Sequence, residues 1–268
     1  MKIAIIGGGN MGSTYAKAFI QSNIVKKDSL LIIEKHSEKI EELKRELGVI
    51  IQEDLAENIA DYDTIIVAVK PQDFRVLAGT LKNYLNPKQL IISIMAGITI
   101  EKITELLNHN HVVRAMPNTP AQLGFGITAF AVAEGSNFAD ISLVDNLLET
   151  TGKAIFMKDE KMLDAVTALS GSGPAYFYYF VKYMIEAGIQ MGMEEPVAAM
   201  LVKQTMLGSF QIMNNSKLSL DEMIKMVASN GGTTEAALNT FEAKNVGNHI
   251  VQALRAAESR AKELSQGA

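Results

Sequence analysis

Cysteine is absent from this 268-residue chain. That one absence removes disulfides, thiolate nucleophiles and cysteine-built zinc sites together. Histidine is scarce as well, and His109, His111 and His249 stand without metal-ligand company, so no metal site is expected. Charge of one sign is also lacking. The 25 Lys and Arg against 30 Asp and Glu give a net charge of −5 with no basic stripe, which argues against nucleic acid as a partner. Long apolar runs are missing: stretches such as Leu90–Ile100 and Ala175–Val181 fall short of the roughly 20 residues of a membrane span. Met1-Lys2 leads into Ile3-Ala4-Ile5-Ile6 and then glycines, too short for the apolar core of a signal peptide. A soluble, cytoplasmic protein is the expectation. The 48% hydrophobic content is that of an ordinary globular protein, and the length suits two domains.

What is present falls into two patterns. Up to about residue 158, β-rich runs alternate with helical periodicity. Strands are expected at Lys2–Ile6, Leu30–Ile33, Val49–Gln52, Thr64–Val69, Leu90–Ile94, Val112–Ala115 and Ile127–Ala133. Helices are expected at Met11–Gln21, Ser37–Leu47, Phe74–Leu85 and Ile100–Leu107. Strands apolar throughout and separated by helices predict a parallel sheet covered on both faces, a doubly wound α/β domain. From residue 159 on only helical periodicity remains: Lys161–Leu169, Pro174–Met191, Glu195–Asn214, Leu220–Ala228 and one long helix Thr234–Glu263. The predicted organisation is an α/β domain over 1–158 and an all-α domain over 159–268. The segment 175–191 is apolar nearly all round, as in a helix buried on every side, here between subunits. The polar tail Glu258–Ala268 is expected to fray.

The glycine run directly after the first strand, Gly7-Gly8-Gly9-Asn10-Met11-Gly12, fits G-x-G-x-x-G. Its place between a strand and a helix, with a second strand ending in an acid, gives the motif the context of a dinucleotide site. In that reading Gly7 makes the tight turn, Gly9 admits the pyrophosphate and Gly12 allows helix and strand to pack closely. The helix N-terminus faces the phosphates. The acid is Glu34, 22 residues after Gly12, placed to accept from a ribose 2′-hydroxyl. Lys35 and His36 follow at once and suit a 2′-phosphate instead, so NADH and NADPH both stay open. Two further strand ends, Ala68-Val69-Lys70-Pro71 and Met95-Ala96-Gly97, belong at the same sheet edge and are expected to wall in the nicotinamide.

In the helical half, Ser229-Asn230-Gly231-Gly232-Thr233-Thr234 sits between apolar helical patterns. Paired glycines allow positive φ and close approach, and the following residues open a helix whose first N–H groups lack intrahelical partners. With hydroxyls beside those donors, the loop suits a small zwitterion with a carboxylate. The alternative is a capped helix–loop–helix turn.

Taken together these segments resemble pyrroline-5-carboxylate reductase over nearly the whole length. The resemblance runs through Ile6–Gly12, Ala68-Val69-Lys70-Pro71-Gln72, Met116-Pro117-Asn118-Thr119-Pro120, the stretch Asp164–Tyr176 and the Ser229–Thr234 loop. It implies an N-terminal Rossmann-like domain and a C-terminal helical domain that dimerises, with rings of dimers such as a decamer. It also implies hydride transfer from NADPH or NADH to 1-pyrroline-5-carboxylate, giving L-proline, the last step of proline biosynthesis. By position, Ser229, Gly232 and Thr233 would hold the substrate carboxylate, Thr234 would meet the ring nitrogen as the catalytic residue, and Glu160 would lie at the substrate. The chain departs from the pattern at Asn230, where the family usually has Pro, and at Leu55, where many members carry Asn. Two readings compete. One is a reductase of another cyclic imine carboxylate; the other is a catalytically idle nucleotide-binding paralogue. A β-hydroxyacid dehydrogenase is disfavoured, since the stretch after Gly171 has no lysine until Lys182.

Overall fold

Apolar runs rich in β-branched residues become strands, and the first six strands of the chain form in this way. β1 (Ile3–Ile6), β2 (Leu30–Ile33), β3 (Ile50–Gln52), β4 (Thr64–Val67), β5 (Leu90–Ser93) and β6 (Val112–Met116) pair parallel. With β7 (Gly126–Val132) and β8 (Gly152–Phe156) they form one eight-stranded sheet in the order β3-β2-β1-β4-β5-β6-β7-β8. The computed structural model describes residues 1–267, with side chains through Ser265. Every residue of β1, β2 and β4 is buried, so these strands read as continuous rather than alternating apolar sequence.

Successive strand residues supply opposite faces. Ile3, Ile5, Ile32, Ile66 and Ile92 pack against α1 (Asn10–Gln21), α2 (Ser37–Leu47) and α5 (Phe138–Glu149) through Tyr15, Phe19, Leu43, Val144 and Leu148. Ala4, Ile6, Leu31, Ile65 and Ile91 pack against α3 (Pro71–Leu81) and α4 (Ile100–Leu107) through Phe74, Leu81, Ile103 and Leu107. Each Ile, Leu, Val or Phe among them contributes about 1.5–3 kcal/mol by leaving water. The in-register pairing of Ile6 with Ile33 and Val67 brings the carboxyl ends of β1, β2 and β4 to one edge.

Two features of this sheet differ from the sequence expectation. β7 runs antiparallel to β6, because the link between them holds only the 3-10 turn Thr119–Leu123, far less chain than a parallel crossover needs. β8 and α5 were not expected. β8 is half-exposed along its length, so it lacks the run of apolar residues that marks the central strands.

The remainder is helical: α6 (Met162–Val166), a π-helical turn at Thr167–Gly171, α7 (Gly173–Gln190), α8 (Glu195–Asn215), α9 (Leu220–Val227), α10 (Thr233–Ala243) and α11 (Val246–Gly267). The single helix expected over 234–263 is two. Asn245 takes φ 52°, a left-handed conformation in which one Asn is tolerated and the helix ends. Of the tail expected to fray, the described residues 258–267 are helical, and Ser265 among them donates to Asp164 Oδ1 at 2.8 Å; Ala268 lies outside the described residues.

Contacts divide the chain into one unit of Met1–Pro174 with the segment from Ala257 on, and a second of Ala175–Ala256. This division falls later than the change of periodicity at 158. The reason is α6: Leu163 is fully buried in the sheet's core and Asp164 pairs with Arg114 on β6. The second unit has little interior of its own. Gly188 on α7 lies so close to α8 that a Cβ there would stand 2.9 Å from the Cβ of Ala198. Among the described residues, Gly188 and Ala198 are the only two of this unit that are buried. Phe177 and Tyr178 on α7 are 64% and 67% exposed, and Phe180, Tyr183, Met200 and Phe210 are exposed too.

Candidate functional site

The turn between β1 and α1 is shaped by what its glycines exclude. Gly7 has φ +104°, and a Cβ on it would stand 2.7 Å from the Ala68 carbonyl oxygen. A Cβ on Gly12 would overlap the Gly7 carbonyl. Gly9 has nothing within 4 Å of its Cβ position, so its backbone faces open space. No side chain caps the N-terminus of α1 at Gly9, and the Ser13 and Thr14 hydroxyls turn back onto the Gly9 and Asn10 carbonyls. An open glycine backbone leading into an uncapped helix start is what a pyrophosphate requires. Ile6 is buried beneath the turn, while Asn10 is exposed and Met11 half-buried at its rim.

Glu34 closes this loop from the neighbouring strand end and is 8% exposed. Its Oε2 accepts the Gly8 N–H at 2.9 Å, and its Oε1 accepts the His36 N–H at 3.0 Å and lies 2.6 Å from His36 Nδ1. Burial pushes the carboxyl up, but the hydrogen bonds from the His36 backbone and ring and from Gly8 outweigh it. The result is a pKa below the ordinary value. The acid is therefore charged and tied to the glycine loop, with room on its oxygens for a further donor. Lys35 and His36 are exposed beside it.

The other predicted wall residues lie at the ends of β4 and β5 as expected. Ala68 donates its N–H to the Ile6 carbonyl at 2.8 Å. Val69 is half-buried, Lys70 is exposed as the N-cap of α3, and Pro71 takes the first helical position, where its missing N–H costs nothing. After β5, Ala96 is half-buried and Gly97 turns at φ +74°. Asn118 is a turn residue: its Oδ1 accepts the Ile127 N–H and its amide donates to Ser170. Leu55 packs at the edge of the core.

In the second unit, Gly231 adopts φ +69° and Gly232 is the N-cap of α10, with no side-chain cap. The Ser229 hydroxyl sits over Gly232, where a Cβ would be 2.6 Å away, and Glu235 reaches back to accept the Gly231 N–H at 2.7 Å. Ser229 and Thr233 are exposed and Thr234 half-buried. The start of α10 is thus one that no side chain caps, unlike the capped turn of the alternative reading.

Glu160 is anchored. Its Oε1 accepts the Ile100 N–H at 2.8 Å and a hydrogen bond from the Arg114 guanidinium at 3.1 Å. Sequence reasoning did not single out Arg114, which is 3% exposed and also bonds Asp164 at 2.9 Å. The signal was there. An arginine inside the apolar strand Val112-Val113-Arg114-Ala115 must have acidic partners. Among the described residues no group of acidic or histidine side chains is placed to hold a metal, and no helix is long and apolar enough to cross a membrane.

A doubly wound sheet whose first turn is built this way defines a nicotinamide-dinucleotide oxidoreductase, and residues 2–97 match the family model described as NADP oxidoreductase, coenzyme F420-dependent. Residues 160–264 match the model for pyrroline-5-carboxylate reductase dimerisation. The Pseudomonas aeruginosa pyrroline-5-carboxylate reductase is 35% identical, with 99% of this chain and 97% of that one covered. Pyrroline-5-carboxylate reductase 2 of Bacillus subtilis is 33% identical over 99% of this chain and 95% of its own. The Coxiella burnetii enzyme superposes with a TM-score of 0.88 at 31% identity, covering 98% of each chain. The Plasmodium falciparum enzyme, solved with NADP bound, gives 0.88 at 29% identity, covering 99% of this chain and 98% of that one. The chain belongs to the pyrroline-5-carboxylate reductase family.

Proposed function

We infer that this protein reduces 1-pyrroline-5-carboxylate to L-proline with NAD(P)H, the closing step of proline biosynthesis. The observation that carries the reading is the uncapped start of α10, where Ser229 and Thr233 place hydroxyls beside free-standing helix donors in a chain that also carries the glycine turn. The reduced nicotinamide, when bound, supplies a hydride to the imine carbon. The chain's own residues then have three tasks. Ser229, Gly232 and Thr233 hold the carboxylate through hydroxyl and backbone N–H donors, the Gly232 N–H giving up its 3.0 Å bond to the Ser229 carbonyl, and this fixes the ring's orientation. The Thr234 hydroxyl meets the ring nitrogen and steadies or relays its proton without itself titrating at neutral pH. Ile6–Gly12, Glu34, Lys35, Ala68–Pro71, Ala96 and Gly97 hold the dinucleotide. An iminium is a ready hydride acceptor, so alignment supplies most of the acceleration.

The occupant of the exposed α7–α8 face is read as a second copy of this chain. A unit with Gly188 and Ala198 as its only described buried residues is not expected to be stable alone, and it lies within the match to the dimerisation model. A ring of dimers such as a decamer is the larger assembly proposed.

The test is nicotinamide absorbance loss with 1-pyrroline-5-carboxylate, run in parallel with NADPH and NADH. Turnover to proline is expected, and the rate ratio reports whether Glu34 or the Lys35–His36 pair governs the cofactor choice. Binding of nucleotide without turnover would overturn the reading.

A further inference from the structure

We propose that the last turn of α11 is a latch on the loop after β5, with Leu264 and Ser265 acting as positioning residues for the nicotinamide. The proposal rests on the reading above that Ala96 and Gly97 wall in the nicotinamide ring.

The contacts form a closed circuit within the first unit. Gly97 lies directly beneath α11: a Cβ on it would stand 2.9 Å from the Cβ of Leu264 and 3.4 Å from its carbonyl carbon. One residue on, the Ser265 hydroxyl donates to Asp164 Oδ1 at 2.8 Å. The same oxygen accepts from Arg114 at 2.9 Å, and the other arm of Arg114 meets Glu160 Oε1 at 3.1 Å. That glutamate oxygen accepts the N–H of Ile100, the residue that starts α4 and ends the loop. The loop Met95–Thr99 is thus pinned at its middle by Leu264 and at its far end by Glu160, and Arg114 joins the two pins.

The helix is built for this. Ala257, Ala261 and Ser265 recur at helical spacing on one face, with Ala261 5% exposed in a stretch that is otherwise mostly charged, while Leu264 at its edge is 46% exposed and meets Gly97 through its Cβ and backbone. The pinned segment has its own reason to need support. Gly97 holds positive φ, and the loop's described internal bonds include the 3.3 Å contact from the Met95 N–H to Ser93 Oγ. Such a loop gains a single conformation from what packs on it, and a displacement of about 1 Å at a nicotinamide wall is enough to cost roughly 100-fold in rate.

The experiment compares the full chain with a form ending at Lys262, with Ser265→Ala and with Ser265→Thr, which keeps the hydroxyl. Calorimetry measures binding of NADPH and of 2′,5′-ADP, which carries the adenine half without the nicotinamide; kcat and KM are measured alongside. The latch predicts that the shortened chain and Ser265→Ala lose about 10-fold or more in NADPH affinity or kcat. It also predicts that 2′,5′-ADP binding stays within about 2-fold and that Ser265→Thr recovers most of the loss. Unchanged NADPH binding and kcat in the shortened chain would overturn the latch, and so would a parallel loss of both ligands, which is general unfolding. A separate variant, Ala96→Leu in the full chain, tests the wall itself. It should weaken NADPH and spare 2′,5′-ADP; if NADPH binds it as tightly as the unaltered chain, the reading of the loop fails, whatever the latch does.

Discussion

Thr234 is half-buried in the first turn of α10, and its hydroxyl is the one group in the Ser229–Thr234 loop assigned to the ring nitrogen. Thr234→Ala is expected to lower kcat by about 10- to 1000-fold, with a smaller change in KM, as for one lost positioned contact; steady-state kinetics check it. Glu34 makes a second prediction. Its pKa is held below the reference 4.5 in the folded protein, so folding favours the charged form. The stability it contributes is complete above about pH 4.5 and is lost as the pH falls through the lower folded value. Melting temperatures followed from pH 6 to pH 3 should fall more steeply for the native chain than for Glu34→Gln. Equal slopes would mean the carboxylate's bonds to Gly8 and His36 add nothing. Residue identity made Gly7, Gly9, Gly12 and Glu34 legible, because the tight turn and the acid have narrow chemical requirements. The partners of Glu34 were not legible, since a side chain's rotamer is decided by its surroundings.

At the scale of elements, the parallel strands were readable because burial on both faces leaves an unbroken apolar run. β8 was not readable, being a half-exposed strand on the reversed edge of the sheet. The break between α10 and α11 turned on one residue. Asn245 has φ 52°, and a β-branched side chain there is strained by about 1–2 kcal/mol. Asn245→Val should therefore lower the unfolding free energy by about that amount, while Asn245→Gly should be close to neutral; denaturant titration separates the two. The sequence pattern of a continuous helix from 234 to 263 carried little warning beyond Asn245 and the nearby Gly247. Asparagine also occurs within helices, so the residue alone does not mark a break.

At the scale of the whole molecule, α7 and α8 present a broad apolar face that no other element of their own unit covers. Sedimentation should find a dimer or a larger even assembly, and the melting temperature should rise with protein concentration, as mass action requires when the folded form associates. Phe180, 43% exposed in the single chain, belongs to the face assigned to the partner copy. Phe180→Asp should shift the population toward monomer and lower activity together with it. A monodisperse monomer in the unaltered protein would remove the second copy as the occupant of that face.

The amino-acid sequence by itself determined the dinucleotide turn, the positions of the central strands, the helical second half and the family, because each rests on local chemistry or periodicity. Only the tertiary structure decided that β7 turns back along β6, that α6 joins the sheet's core, and that Arg114 ties Glu160 and Asp164 together. It alone brings Leu264 back to the loop at Gly97 and Ser265 to Asp164. These are meetings between residues far apart in the chain, and no local pattern encodes which distant partner a buried charge or a bare glycine surface will find.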